Sequence, residues 1–267
     1  MPASRDLARQ IVVISAFCFM IVAAMVGTGL FGGTPVQDLQ DGALDADGSY
    51  LAPARSAFSI WTVIYVGLFA YTVWQALPRQ RGNERQRAVG WLIAGTMLLN
   101  GLWLVTAQFL TLPLTVLAIA LLLALLGFTF HRAVVVPGRG VVDALLIDGV
   151  TGLHLGWVAL ATVANTTAWL TRVVPSEWAD AASAWGIAVL TVVTLIGVGI
   201  AWASGWRIAP GLAMGWGLSW IAVGRLAFEP PQATIGIAAI VAAVVVVGTP
   251  LVGKVLRGAD EVRNAGG

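Results

Sequence analysis

Three short series of aromatic and polar residues carry the side chains best suited to bind a small molecule. Within each series the residues are three or four apart, so each series lies on one face of a helix. The series are Trp61 and Tyr65; Asn100 and Trp103; and His154, Trp157, Ala161 and Asn165. Aromatic rings stack on flat apolar molecules, and carboxamides offer hydrogen bonds. Together the three series would line a small-molecule pocket.

The third series lies in an apolar segment long enough to cross a bilayer. Residues 153–169 nevertheless carry His154, Trp157, Thr162 and Asn165. A polar side chain at membrane depth costs free energy unless it faces protein, water or a ligand. This segment therefore indicates a lined cavity and not a lipid-facing surface.

Each series also has a simpler interpretation. A tryptophan near a helix end, such as Trp61, often anchors the helix at the membrane interface. Asn100 and Asn165 could bond neighbouring helices, an interaction typically worth about 0.6 kcal/mol. His154 alone could be a structural hydrogen-bond partner. The occurrence of three such series on three helices favours the binding site.

The composition indicates a membrane protein. Of 267 residues, 58% are hydrophobic and 10% are charged, whereas soluble domains average about 25% charged residues. The net charge is only +2, and the basic residues lie in short loops, so we expect no nucleic-acid partner. Cys18 is the single cysteine, which excludes an intramolecular disulfide and a cysteine-based zinc site.

We predict an all-α polytopic membrane protein with about eight transmembrane helices. The predicted segments are 11–32, 57–77, 89–108, 113–131, 143–170, 183–204, 209–227 and 234–253. The first apolar run is too long for a typical signal peptide, so we expect it to be retained.

Orientation follows from the basic residues. With the N-terminus inside, twelve of the fifteen lie on the cytoplasmic side, and Arg55, Arg172 and Arg225 lie outside. Both termini are then cytoplasmic. The first external loop, about 33–56, carries four aspartates and is either a lid over a site or a solvated acidic linker.

Two further ionisable residues lie near membrane depth. Asp148 falls about 180° from Trp157 on the helix, so we expect it to pair elsewhere or to reach the cytoplasmic headgroups. Arg225 stands four residues before Glu229, which predicts an ordinary pair along the helix.

The three series resemble motifs of the TspO/translocator-protein family, also called tryptophan-rich sensory proteins. The family's second helix has an aromatic Phe…Trp-Thr-x-x-Tyr stretch, its third has Asn-x-x-Trp, and its fifth has Trp-x-x-x-Ala-Thr-x-x-Asn. The corresponding residues here are Phe58, Trp61, Thr62 and Tyr65; Asn100 and Trp103; and Trp157, Ala161, Thr162 and Asn165. The likeness covers about residues 11–171.

The resemblance implies a five-helix bundle that binds tetrapyrroles, such as porphyrin or haem, or sterol-like ligands. It also implies a homodimer and a protein that requires no cofactor. We expect an integral protein of a bacterial plasma membrane. The implied pocket residues are Trp61, Tyr65, Asn100, Trp103, Trp157, Ala161 and Asn165. The tryptophans would stack on the macrocycle, and the two asparagines would bond ring substituents or propionates.

The chain departs from the family in three places. Helix 2 lacks the proline usually found between the phenylalanine and the tryptophan, and Ala54 to Ala57 replace the loop tryptophan before it. The second loss weakens the case for photochemical porphyrin breakdown. The third departure is the C-terminal helices. We predict a TspO-like bundle at 1–171, an external loop at 172–182 and a three-helix extension at 183–267, in which Trp216 and Trp220 enlarge the pocket or simply pack.

Two other classes of function compete with a tetrapyrrole sensor or carrier. A secondary transporter of a small apolar or amphipathic substrate is allowed by eight helices, but Asp148 and Arg225 alone would be a sparse ion pathway. An enzyme is not favoured, because the sequence shows no nucleophile triad, metal-ligand cluster, phosphate loop or carboxylate pair. Light-driven porphyrin degradation enters by family analogy alone.

Overall fold

The computed structural model describes residues 2–32 and 34–265 and confirms the all-α fold. Across these residues there is no strand, and there are eight long helices. They are α1 (Pro2–Gly27), α2 (Ile60–Ala76), α3 (Glu84–Phe109), α4 (Leu112–Val135), α5 (Val150–Val173), α6 (Ala182–Ala203), α7 (Ala209–Ala227) and α8 (Ala233–Ala265). A helical turn at Val141–Asp143 and a π-helical segment at Ala144–Gly149 lead into α5.

Helix ends differ from the predicted segments where polar or glycine residues set them. Helix α1 begins nine residues earlier than predicted, because Asp6 and Arg9 in its first turns are paired and buried. It ends at Gly27, just before Gly29 and Gly32 adopt positive φ angles of 79° and 83°. Such angles end a helix and suit glycine.

Seven helical segments of the described chain are long and apolar enough to cross a membrane. The remaining long helix, α7, is 19 residues long, but its glycines, its tryptophans and Arg225 lower its mean hydropathy. Much of α7 is buried, including Met214, Leu218 and Ile221. A helix shielded by its neighbours needs less apolar surface than one that faces lipid.

The helices alternate in direction, which gives the bundle two distinct ends. Gln40 donates to the carbonyl of Leu110 just beyond α3, and Arg172 near the end of α5 donates to the carbonyl of Asp41. The C-terminal ends of α3 and α5 therefore share one end of the bundle with the loop after α1. We call this end of the bundle the lid end, because residues 34–54 cover it.

The apolar core falls into two clusters. The larger involves α1 to α5, and the smaller involves α6, α7 and α8, with Leu160 of α5 and Leu51. Helices α5 and α7 connect the two clusters and pack closely together. A Cβ atom added at Gly156 would lie 2.2 Å from the carbonyl oxygen of Pro210. Glycine is thus required for this contact. The division into separate domains stays a prediction.

Gly211 and Gly215 allow an equally close contact between α7 and α8. A Cβ atom at Gly211 would lie 2.5 Å from the carbonyl oxygen of Val246. The face of α8 that includes Ala239 and Val246 is buried, so this helix packs into the bundle along one side.

Residues 34–54, which we call the lid, fold over the lid end of the bundle. Ala43, Leu51 and Ala52 are buried. Ser49 Oγ lies 3.1 Å from Thr167 Oγ1 of α5, and Ala54 donates its backbone N–H to the carbonyl of Trp220 in α7. The loop is therefore a packed cover and not a solvated linker.

The three arginines that the charge bias places outside all hold the lid. Arg55 Nε donates to Asp45 Oδ1 at 2.8 Å, and Arg172 Nη2 donates to the Asp41 carbonyl at 2.9 Å. Arg225 Nη2 donates to the carbonyl of Ala46 at 2.7 Å. Arg55 thus uses a lid carboxylate, whereas Arg172 and Arg225 bond backbone carbonyls of the lid.

The predicted pair between Arg225 and Glu229 is wrong. Helix α7 ends at Ala227, and Phe228 has extended backbone angles of φ −131° and ψ 167°. Glu229 therefore lies beyond the helix, where four-residue spacing no longer brings side chains together.

Candidate functional site

Aromatic residues of α2 and α5 meet below the lid. The ring of Trp61 lies 6.1 Å from that of Trp157 and 5.7 Å from that of His154, edge to face in both cases. Phe58 lies edge-on to Trp157 at 5.8 Å, and Tyr65 stacks on Trp61 at 5.1 Å. These separations are typical of favourable aromatic pairs. The aromatic series on the two helices thus form one cluster.

Polar residues of α3 and α5 bond each other beside this cluster. Asn100 Nδ2 lies 3.3 Å from His154 Nε2, and Trp103 Nε1 donates to Asn165 Oδ1 at 3.3 Å. Asn165 Nδ2 donates to the Ala161 carbonyl at 2.8 Å. The two asparagines therefore bond a neighbouring helix, as the simpler interpretation predicted. These bonds lie at the same place as the predicted pocket.

A cavity of about 40 Å³ lies between the cluster and the lid. Five of the eight predicted site residues line it: Trp61, Trp103, Trp157, Ala161 and Asn165. Tyr65, Asn100 and His154 do not line it and lie one helical turn deeper, where they support the residues above them. The structure thus divides the predicted set into a wall and a supporting layer.

The rest of the cavity wall comes from residues that sequence reasoning missed. They are Val36, Ala43, Leu44, Asp45, Ala52 and Pro53 of the lid, Phe58 before α2, Leu160 and Ala164 of α5, and Ile221 of α7. Phe58 carried a signal, because it begins the aromatic motif of α2. The lid residues carried none, because their contacts come from chain folding and not from helical periodicity.

Helix α7 reaches the cavity through Ile221 and not through its tryptophans. Trp216 and Trp220 contact each other edge-on at 5.7 Å, and Trp216 Nε1 donates to the Ala57 carbonyl at 2.9 Å. Neither lines the cavity. The interpretation that these two residues pack is confirmed.

One polar atom on the cavity wall has no hydrogen-bond partner among the residues that the structure describes. It is the buried Nε1 of Trp157. A buried donor or acceptor without a partner costs about 1–3 kcal/mol. Trp157 is 2% exposed and lies on the cavity wall.

One carboxylate also faces the cavity. Asp45 lines it and bonds to the Arg55 guanidinium, which holds the pKa of the Asp45 carboxyl below its usual range. At pH values above that range, the Asp45 carboxylate is charged and bonds to Arg55. The same residue thus shapes the cavity roof and holds the lid.

A larger cleft of about 440 Å³ lies on the side of the bundle between α4 and α6. Helix α6 packs mainly on α8 and stands away from α4, so α5 and α7 form the floor of the cleft. Its walls are mostly aliphatic. Thr162 lies here and not in the lid cavity, and its hydroxyl bonds the Val158 carbonyl.

Asp148 belongs to an ion-pair network at the other end of the bundle. Its Oδ1 lies 2.5 Å from Arg85 Nη2 and 2.6 Å from Arg207 Nη1. Arg85 also pairs with Asp143 at 3.1 Å and is 4% exposed. The expectation that Asp148 pairs elsewhere is confirmed, and the geometry favours a structural role over proton transfer.

Replacing Asp148 with asparagine is expected to lower the melting temperature in detergent. Loss of one member of a buried ion pair costs about 3–5 kcal/mol, because its partners stay charged. Asp260→Asn is the matched control, since its pair with Arg263 is exposed and is worth about 0–1 kcal/mol. If both variants melt at the wild-type temperature, the network is not structural. Asp148 is then again a candidate for proton transfer in a transporter.

The similarity to known proteins agrees with this architecture. The sequence profile of a family described as TSPO-like protein matches residues 9–252. The match includes α6, α7 and the first part of α8, so it extends well beyond residues 11–171. No curated protein and no solved structure matches the chain at a significant level.

Proposed function

Because the chain belongs to the TSPO-like protein family, we propose that this membrane protein binds tetrapyrroles or similar flat apolar ligands beneath its lid. The observation that carries the proposal is the convergence of Trp61, Trp103 and Trp157 with Asn165 on one cavity. Binding there would serve sensing or carriage of the ligand.

The geometry supplies both parts of such a site. Trp61 and Trp157 offer apolar faces and edges for a macrocycle, and the unpartnered Trp157 N–H offers a hydrogen bond. Asn165 already bonds Trp103. A ligand acceptor would satisfy the buried Trp157 donor and so recover the free energy that an unpartnered donor costs.

Ligand entry requires movement of the lid. The cavity holds about 40 Å³, whereas sites for drug-sized ligands measure about 300–1,000 Å³. Six of the wall residues belong to the lid, so displacement of residues 34–54 removes the roof and leaves the aromatic wall in place. The structure corresponds to the closed state of the proposed receptor.

Titration of the purified protein with protoporphyrin IX tests the proposal. We expect saturable quenching of tryptophan fluorescence, and a shifted Soret band at concentrations where empty detergent micelles give no such shift. Trp202→Phe is a control for nonspecific quenching, because Trp202 is 73% exposed on the outer surface of α6. Quenching that rises linearly without saturation, with a Soret shift no larger than empty micelles give, would remove the proposal.

Three further features remain proposals. They are the homodimer that the resemblance implies, the bacterial plasma membrane, and the cytoplasmic position of both termini that the charge bias predicts. With that orientation, the lid would face the outside.

A further inference from the structure

Arg225 is a buried cation with unused hydrogen-bond donors. Its side chain is 1% exposed, and it lies one turn beyond Ile221, which lines the cavity. A guanidinium has five N–H donors. Nη2 donates to the Ala46 carbonyl, but Nε and Nη1 are buried and have no partner.

Its surroundings differ from those of the other deeply buried arginines that the structure describes. Arg9 pairs with Asp6 at 3.4 Å, and Arg85 pairs with Asp143 and Asp148. Arg225 has no carboxylate within ion-pair distance among the described residues. Buried charges are normally paired, so a buried guanidinium without a carboxylate partner favours binding of an anionic group.

The groups that now cover Arg225 belong to the lid. The Tyr50 ring lies 6.0 Å from the guanidinium carbon, and Asp47 acts on the charge only from a distance. The Ala46 carbonyl is the acceptor in the closed state. Displacement of the lid removes this acceptor and uncovers the guanidinium beside the cavity.

We propose that Arg225 binds the carboxylate of an amphipathic ligand when the lid opens. The apolar body of the ligand lies against Trp61 and Trp157, and its acid group replaces the Ala46 carbonyl at the guanidinium. A carboxylate can accept two parallel N–H bonds from arginine, which uses the donors that are now unpartnered. This inference rests on the proposed function and specifies its ligand as a carboxylic acid.

The test compares protoporphyrin IX with its dimethyl ester, which keeps the ring and lacks the acid groups. Both are titrated into wild type, Arg225→Gln and Arg225→Lys, with partition into empty micelles subtracted. We expect wild type to prefer the acid at least about tenfold. Arg225→Gln should bind acid and ester alike, and Arg225→Lys should keep part of the preference, because an ammonium lacks the two-pronged geometry.

Arg172→Gln is the matched control, since Arg172 also holds the lid by a backbone carbonyl but is 41% exposed. It should keep the preference for the acid. An equal preference in wild type and Arg225→Gln overturns the inference and leaves the proposed function standing. If wild type binds neither probe, the proposed function itself fails. Should Arg225→Gln not fold, an undiminished preference in Arg225→Lys overturns the inference.

Discussion

Trp157→Ala is expected to weaken protoporphyrin IX binding strongly and to lower stability. The indole is 2% exposed and contacts Phe58 and Trp61 edge-on. Truncation of a buried tryptophan to alanine costs about 3–5 kcal/mol of folding free energy. It also removes the central ring of the aromatic wall, so we expect the dissociation constant to rise at least about tenfold.

Trp157→Phe separates binding from stability. Phenylalanine keeps an aromatic ring on the wall but removes the unpartnered Nε1–H, so the protein should melt near the wild-type temperature. If the ligand uses that N–H, affinity should still fall several-fold, in the range of about 1 kcal/mol. Wild-type affinity in both variants would show that ligand binds elsewhere.

A disulfide between the lid and α5 is expected to block binding reversibly. Ser49 Oγ and Thr167 Oγ1 are 3.1 Å apart, close to the position that two bonded sulfurs, about 2.05 Å apart, would take. The variant carries Ser49→Cys, Thr167→Cys and Cys18→Ser, which removes the natural thiol. When oxidised it should bind protoporphyrin IX at least about tenfold more weakly than when reduced.

The control for the disulfide carries Thr167→Cys and Cys18→Ser alone. It should bind equally under oxidising and reducing conditions, and thiol titration of the double-cysteine protein should report bridge formation. If the oxidised, bridged protein binds as well as the reduced one, the lid does not need to move and the ligand does not enter through it.

Helical periodicity explains why much of the site could be predicted. Trp61 is at helical spacing from Tyr65, Trp103 from Asn100, and Trp157 from Asn165. The faces that carry these residues therefore follow from the sequence once the helices are recognised. The structure brings these faces to one cavity. The resemblance to family motifs indicated that these three helices share one site, which periodicity alone cannot show.

The lid and its attachments could not be predicted, because they depend on contacts between residues far apart in the chain. Arg225 bonds the carbonyl of Ala46, 179 residues away. Its sequence neighbour Glu229 suggested a local pair instead, although the predicted segment 209–227 ends at Ala227, as α7 does. Small buried residues such as Ala43 and Ala52 have no periodic signal. The size of the cavity likewise depends on how closely the lid packs.

The central claim is that the ligand occupies the space between the aromatic wall and the lid. A structure of the protein with protoporphyrin IX tests it most directly. We predict a macrocycle against Trp61 and Trp157, residues 34–54 displaced outward, and a propionate at Arg225. A macrocycle in the lateral cleft between α4 and α6, with Ser49 still beside Thr167, would contradict the account.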